Sequence, residues 1–414
     1  MRLIPDVKRV TPHTGEVTEL ANPPSMKLAC NVGSQTALRN QNVRRVVDTL
    51  IANGASTRAE IARHTGLSAA TVSNIVAVMV DRGTVSTSPT RSSGRRAVHI
   101  RLESRGAVIV GIDVGRRHAR VVVASLAHQV LGERAITLPR GHRREEGIET
   151  TARLLDEILE SEGIERRAVV GVGVGVPGPI DRRTGSVVDG AILPEWSGVN
   201  LVTAFEQRLG FPVFVDNDAN LGALAEVTWG AHAMSQNLVF LKLGSGIGCG
   251  LVIGGEPFYG HLGIAGEIGH SPVSDLGPMC HCGNRGCLET VASTSMMIEV
   301  LGKRSDPSIT TDDIIRQAVA GDVATLRVVG DAGFAAGRAV AGAVNLLNPE
   351  VVVIGGPLAV LGDILLDPVR RGFERYAVAL AAETTTLAVS SLGDRAEVLG
   401  AASLAARQPS LQLA

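Results

Sequence analysis

The chain has 414 residues, 45 % hydrophobic and 20 % charged, the size of two or three domains and the composition of a soluble globular protein. It has no run of 18 apolar residues and no basic-then-apolar leader, so no membrane span and a cytoplasmic setting are the expectations. The formal net charge of −1 is unevenly spread: residues 36–106 carry +7 and the remainder −8, as expected of a basic nucleic-acid-binding module on an acidic body.

Residues 1–35 contain Pro5, Pro12, Pro23 and Pro24 and no apolar period, and read as a disordered tail; Met26 is an alternative start to Met1. From Gln41 onward, Val43, Val46, Val47, Leu50 and Ile51 form one stripe of a helix that Asn53-Gly54 stops. Ser56 is expected to cap a second helix over 57–64, closed by Gly66. Ser68 is expected to cap a third, with Val72, Ile75, Val76 and Met79 inward and Gly83 at its end. Helix, four-residue turn, helix is a helix-turn-helix, whose later helix enters the major groove N-terminal end first. Its outward residues Ser68, Ala69, Ala70, Thr71, Ser73 and Asn74 are short enough to approach base edges. Asn74 suits an adenine, and Thr71 or Ser73 a phosphate or a thymine methyl. Strands at 84–88 and 95–102 around a basic turn at 89–94 predict a wing, whose Arg91, Arg95 and Arg96 would follow phosphates or enter a narrow minor groove.

From Ala107 the composition turns Val-rich. Three strands (107–114, 119–125, 129–134), a helix over 148–161 and the strand V-V-G-V-G-V-G-V open an α/β body. The buried strand 212–215 then delivers Asp216, Asn217 and Asp218 to its C-terminal end, where α/β sheets bind ligands. After the strand at 238–243, the glycine-rich stretch 244–250 is a weak phosphate-loop signal by itself. The strongest signal spans 266–289, G-E-I-G-H followed by C-H-C-G-N-R-G-C-L-E. His270, Cys280, Cys282 and Cys287 offer one imidazole and three thiolates, a complete tetrahedral shell for a structural zinc, and only Cys30 and Cys249 lie elsewhere. Two carboxylates that zinc does not need, Glu267 and Glu289, are interleaved with them and suggest a ligand site held rigid by the metal.

This cluster resembles the signature of the ROK family of repressors, open reading frames and sugar kinases, and the resemblance extends over about 36–406. It implies a winged helix-turn-helix at 36–103 followed, over 106–414, by a two-lobed, actin-like sugar-kinase fold. It implies zinc on His270 and the three cysteines, with His270, Glu267 and Glu289 also contacting sugar hydroxyls. By the same resemblance, Asp218 stands where the kinases have their general base and Asn217 where they have a neighbouring hydroxyl contact. Val176 to Pro179 would form a sugar-facing loop, Trp196 and Asn200 would be loose sugar contacts, and 345–356 would be the adenosine side. The family's first hairpin usually reads D-x-G-G-T-K, whereas here Asp113 and Gly115 are followed by Arg116, Arg117 and His118. The missing glycine removes the close backbone approach to ATP phosphates, so ATP binding and turnover are not expected.

The reading is a DNA-binding regulator of carbohydrate genes, of repressor type, with a sugar or sugar-phosphate effector and a double-stranded operator. A homodimer or homotetramer would set two recognition helices about one DNA turn apart. The alternatives are an ATP-dependent sugar kinase with an appended DNA-binding module, favoured by Asp218 and 244–250, and a constitutive repressor with a vestigial pocket.

Overall fold

The computed structural model describes residues 35–92, 95–182, 184–187, 194–196, 198–304 and 307–408. The tail expectation therefore falls, except for Gln35, outside the described residues. The first helix, α1 (Gln35–Asn53), starts before the predicted Gln41 and buries Val43, Val46, Val47 and Leu50. Strand β1 (Ser56–Thr57) and helices α2 (Arg58–Thr65) and α3 (Ala69–Asp81) follow, then the wing strands β2 (Val85–Ser92) and β3 (Arg95–Leu102). Two local expectations need correction. Thr57, not Ser56, caps α2, because Thr57 and Glu60 together supply both halves of a capping box. Ser56 instead pairs with Ile100 in the wing sheet, ordered β1-β3-β2. The wing's first strand also runs through Pro89 to Ser92 rather than ending at residue 88. Pro89 sits opposite Val98 on an edge strand, where a missing N–H is tolerated.

The body begins with the antiparallel strands β4 (Val108–Val114), β5 (His118–Ser125) and β6 (Val130–Thr137) and the helix α4 (Arg144–Ser161). Strand β7 (Val169–Val176), the small hairpin β8 (Ile180–Asp181) and β9 (Ser186–Val187), helix α5 (Leu201–Leu209) and strand β10 (Val213–Asn217) complete the first lobe's elements. Helix α6 (Asp218–Glu226) leads to β11 (Leu238–Leu243), β12 (Ile247–Ile253) and β13 (Glu256–Pro257). Helices α7 (Glu289–Ala292), α8 (Thr294–Gly302), α9 (Thr311–Val319) and α10 (Val323–Leu347) come next. The chain closes with β14 (Val351–Gly355), α11 (Asp363–Tyr376), α12 (Ala379–Thr384), β15 (Thr386–Val389) and α13 (Ala396–Ala406).

Two five-stranded sheets, β10-β7-β4-β5-β6 and β13-β12-β11-β14-β15, repeat one plan: antiparallel hairpins, then parallel strands added by helical crossovers. The winged helix on this two-lobed, actin-like α/β body is the predicted fold class. Strands β4 and β7 are buried on both faces, so they read as unbroken Val-rich runs without alternation. Between the lobes lies α13, almost wholly buried: Val398, Ala401, Ala402 and Ala405 share a core with Ile109 of β4 and Leu221 of α6. That core continues without a break into the winged helix through Val46, Val76 and Ile100.

Candidate effector cleft and metal loop

A cleft of about 740 Å³ opens where the hairpin β4–β5, the start of α6, the turn 244–246 and the loop 263–270 meet. This size suits a sugar-sized ligand. Asn217, Asp218, Glu267, His270 and Glu289, widely separated in the chain, all line it. Asn217 and Asp218 are delivered by β10 into the first turn of α6. Asn217 is also structural: its Oδ1 accepts from the amides of Ala219 and Asn220, and its Nδ2 donates to the Gly178 carbonyl at 2.9 Å. Glu289 accepts from the Ile247 amide at 2.9 Å and pairs with His281 at 2.8 Å, so the unpredicted His281 belongs to the same wall.

Asp218 does not stand free. Lys242, at the end of β11, reaches its carboxylate at 2.8 Å and that of Glu397, in the first turn of α13, at 2.9 Å. Burial works against the ammonium, yet Asp218 and Glu397 raise its proton affinity well above the ordinary lysine value. Beside this trio, His118 Nε2 lies 2.7 Å from Asp113. Burial would raise Asp113, but His118 holds it below its usual value, and Asp113 in turn raises His118. The His118 ring packs on Gly115, where even a Cβ would lie 2.2 Å from the ring. The role of Lys242, which sequence reasoning missed, has one signal there, a single lysine in the otherwise apolar run L-V-F-L-K-L.

In the metal loop, all four ligand atoms of His270, Cys280, Cys282 and Cys287 lie within 4.8 Å of one another. Cys280 Sγ is 3.5 Å from His270 Nδ1, and Cys282 Sγ is 3.7 Å from Cys287 Sγ. Ligands at zinc distances on a tetrahedron are roughly 3.5–3.8 Å apart, so these residues fit that ion, while the two sulfurs are far beyond disulfide length. The other ring nitrogen, Nε2, faces Glu267 at 3.7 Å, as a metal-bound histidine oriented by a carboxylate would. Burial pushes the Cys287 thiol up to about 12, so its ionisation calls for a cation alongside. Gly286, at φ +65°, packs its α-carbon against the Ser274 carbonyl and brings the third sulfur back to the first two.

Trp196 and Asn200, expected as loose sugar contacts, do not line this cleft. Trp196 is fully buried between His142 and Phe205, and Asn200 caps α5 by accepting from the Thr203 amide. On the winged helix, Ser68 at the cap of α3 and Ala69 and Asn74 within it are exposed, and Thr71 and Ser73 are half-buried on the two borders of its outer face. Ser68 caps that helix through the Thr71 amide. Arg91, Arg95 and Arg96 fall on the wing strands, Arg91 opposite Arg96, but their side chains lie outside the described residues. No helix among the described residues is long and apolar enough to cross a membrane.

Comparison with known proteins extends over both parts. Residues 109–408 match the ROK family and residues 40–96 the MarR family. The chain is 29 % identical to a xylose repressor of Caldicellulosiruptor bescii over 89 % of its own length and 96 % of the relative's. It is 33 % identical to a glucokinase of Halalkalibacterium halodurans over 72 % of its length and 95 % of that enzyme's. The crystal structure of a ROK family transcriptional regulator, a homologue of the E. coli MLC protein, superposes with a TM-score of 0.74 at 25 % identity, covering 89 % of this chain and 96 % of that one. With a cleft of the expected make-up, a Cys/His loop of the expected geometry and a match over most of its length, the chain belongs to the ROK family.

Proposed function

We propose that this protein is a cytoplasmic transcriptional regulator, of repressor type, that binds operator DNA through residues 36–103 and is controlled by a sugar bound within residues 106–414. The observation that carries this reading is the reach of the similarity: that to a xylose repressor runs through winged helix and body alike, that to a glucokinase over 72 % of the chain. Asn217, Asp218, Glu267, His270 and Glu289 would take the sugar hydroxyls, and a zinc on His270, Cys280, Cys282 and Cys287 would hold the last three in register. Thr71, Ser73 and Asn74 would face base edges from α3, with Ser68 and Ala69 at its entry and the wing arginines on phosphates. Two copies would present their recognition helices to half-sites about one turn apart.

A kinase reading is supported by Asp218 at the start of α6, where a base would serve, and opposed by the hairpin. There His118 covers Gly115 and neutralises Asp113, so the backbone cradle that holds phosphates in line for transfer is closed. The test is selection of an operator from a random duplex pool, followed by titration with xylose, glucose and N-acetylglucosamine. A sugar is expected to release the protein from DNA, and Asp218→Asn to raise the sugar needed by about ten-fold or more, the loss of one good charged hydrogen bond. Phosphorylation of that sugar by ATP at about one turnover per second or faster, abolished by Asp218→Asn, would overturn the proposal in favour of a kinase.

A further inference from the structure

The cleft contains positive charge for which a neutral sugar has no use. Arg116 and Arg117 stand at the tip of the β4–β5 hairpin and Arg140 follows β6, and all three line the cleft on the wall contributed by the first sheet. Among the described residues, none of these guanidinium groups has a carboxylate or other side-chain partner. Arg120, on the same hairpin, is fully engaged by contrast, bonding both Glu133 and Asp394. Arg116 is half-buried, and its proton affinity is lowered first by that burial and then by the charge of Arg140, with Glu289 acting the other way. Two like charges are thus held together beside an acid of the sugar wall, an arrangement that an anion would relieve.

We propose that the ligand of the cleft is a sugar phosphomonoester, its hydroxyls on the acidic wall and its phosphoryl group on Arg116 and Arg140, with Arg117 at the rim. The inference deepens the sugar-controlled reading and rests on it. Guanidinium forks match phosphate oxygens two at a time, and the half-buried Arg116 is less screened than the exposed Arg140 beside it. A nucleotide phosphate is the other source of the same chemistry. It is disfavoured because the backbone cradle at Gly115 is covered by His118, whereas Arg116 is close enough to Glu289 to feel its charge. The hairpin tip has exchanged a main-chain phosphate site for a side-chain one displaced toward the sugar.

The experiment is calorimetric titration of the full chain with xylose, glucose and N-acetylglucosamine, each beside its terminal phosphomonoester, and with inorganic phosphate and ATP separately. The phosphorylated form of one sugar is expected to bind at least about ten-fold tighter than its parent at low salt. The ratio should grow as pH rises through about 6, where the phosphoryl group becomes dianionic. Arg116→Ala should bring the ratio toward one and Arg116→Lys should retain part of it, while Asp218→Asn weakens parent and phosphate in proportion. A sugar that binds equally well with and without phosphate overturns this inference and leaves the sugar reading standing. ATP binding more tightly than every sugar phosphate overturns it in favour of a nucleotide site. No binding by any sugar or sugar phosphate overturns both.

Discussion

His118 occupies the position where the family's phosphate hairpin usually has its lysine, and its bond to Asp113 gives the stability of the lobe a defined dependence on pH. The Asp113 carboxylate raises His118 above its ordinary value of 6.5. A group raised on folding adds stability that is fully present below that ordinary value and is lost as pH climbs through the raised one. The difference in Tm between the parent chain and His118→Asn is therefore expected to be largest below about pH 6.5 and to shrink above it. Thermal melts from about pH 5.5 to 8.5 that show a constant difference would mean that the pair carries no charge. Both residues are conspicuous in the sequence, but their bond is not. What makes it is the turn at 115–117, which folds the ring back over Gly115, and no residue type announces that.

Among the elements, the metal loop and the recognition helix were the most legible, because their chemistry is local. The spacing of Cys280, Cys282 and Cys287, with His270 ten residues before the first of them, picks out the cluster whose ligand atoms converge, and the loop closes over a few residues through the bond from the Cys280 amide to the Asn284 carbonyl. About one zinc per chain is expected, and Cys280→Ser should lose it and weaken sugar binding together; metal analysis of the two proteins decides this. The apolar stripe of α3 fixes which flank faces out. Asn74→Ala should relax preference at one base position, whereas Arg95→Ala should weaken all sequences and reduce the salt slope by about one. Base-preference profiling that leaves the Asn74→Ala pattern unchanged would mean that another residue reads the base. The errors at this scale come from context. Pro89 signals a turn until the strand carrying it proves to be an edge, and Trp196 suggests a ligand rim until α4 and α5 enclose it.

In the whole molecule, the least legible feature is the one that joins its parts. Lys242 and Glu397 are 155 positions apart and meet only because α13 passes between the two lobes. Glu397 lies buried in the first turn of that helix, bonded to Lys242 of the cleft wall. Six residues on, about 9 Å along the axis, the Ser403 hydroxyl lies 2.7 Å from the Trp229 indole nitrogen. Trp229 stacks on His128 at 5.1 Å, and burial together with the nearby charge of Arg44 on α1 lowers the proton affinity of that histidine. One helix thus carries near one end the acid that shares Lys242 with Asp218, and near the other a hydroxyl bonded to Trp229, whose stacking partner His128 lies near Arg44 of α1. Such a part has no preferred direction. If an effector loosens operator binding by some factor, operator DNA must loosen effector binding by the same factor, since both traverse one thermodynamic cycle. Measuring effector Kd with and without saturating operator tests this, and Trp229→Phe, which removes the bond to Ser403, should bring that factor toward one while each ligand still binds alone. The promoter, in other words, would set the concentration at which its own inducer is sensed, and a chain seated on a strong operator would be a less sensitive sugar detector than the same chain free in solution.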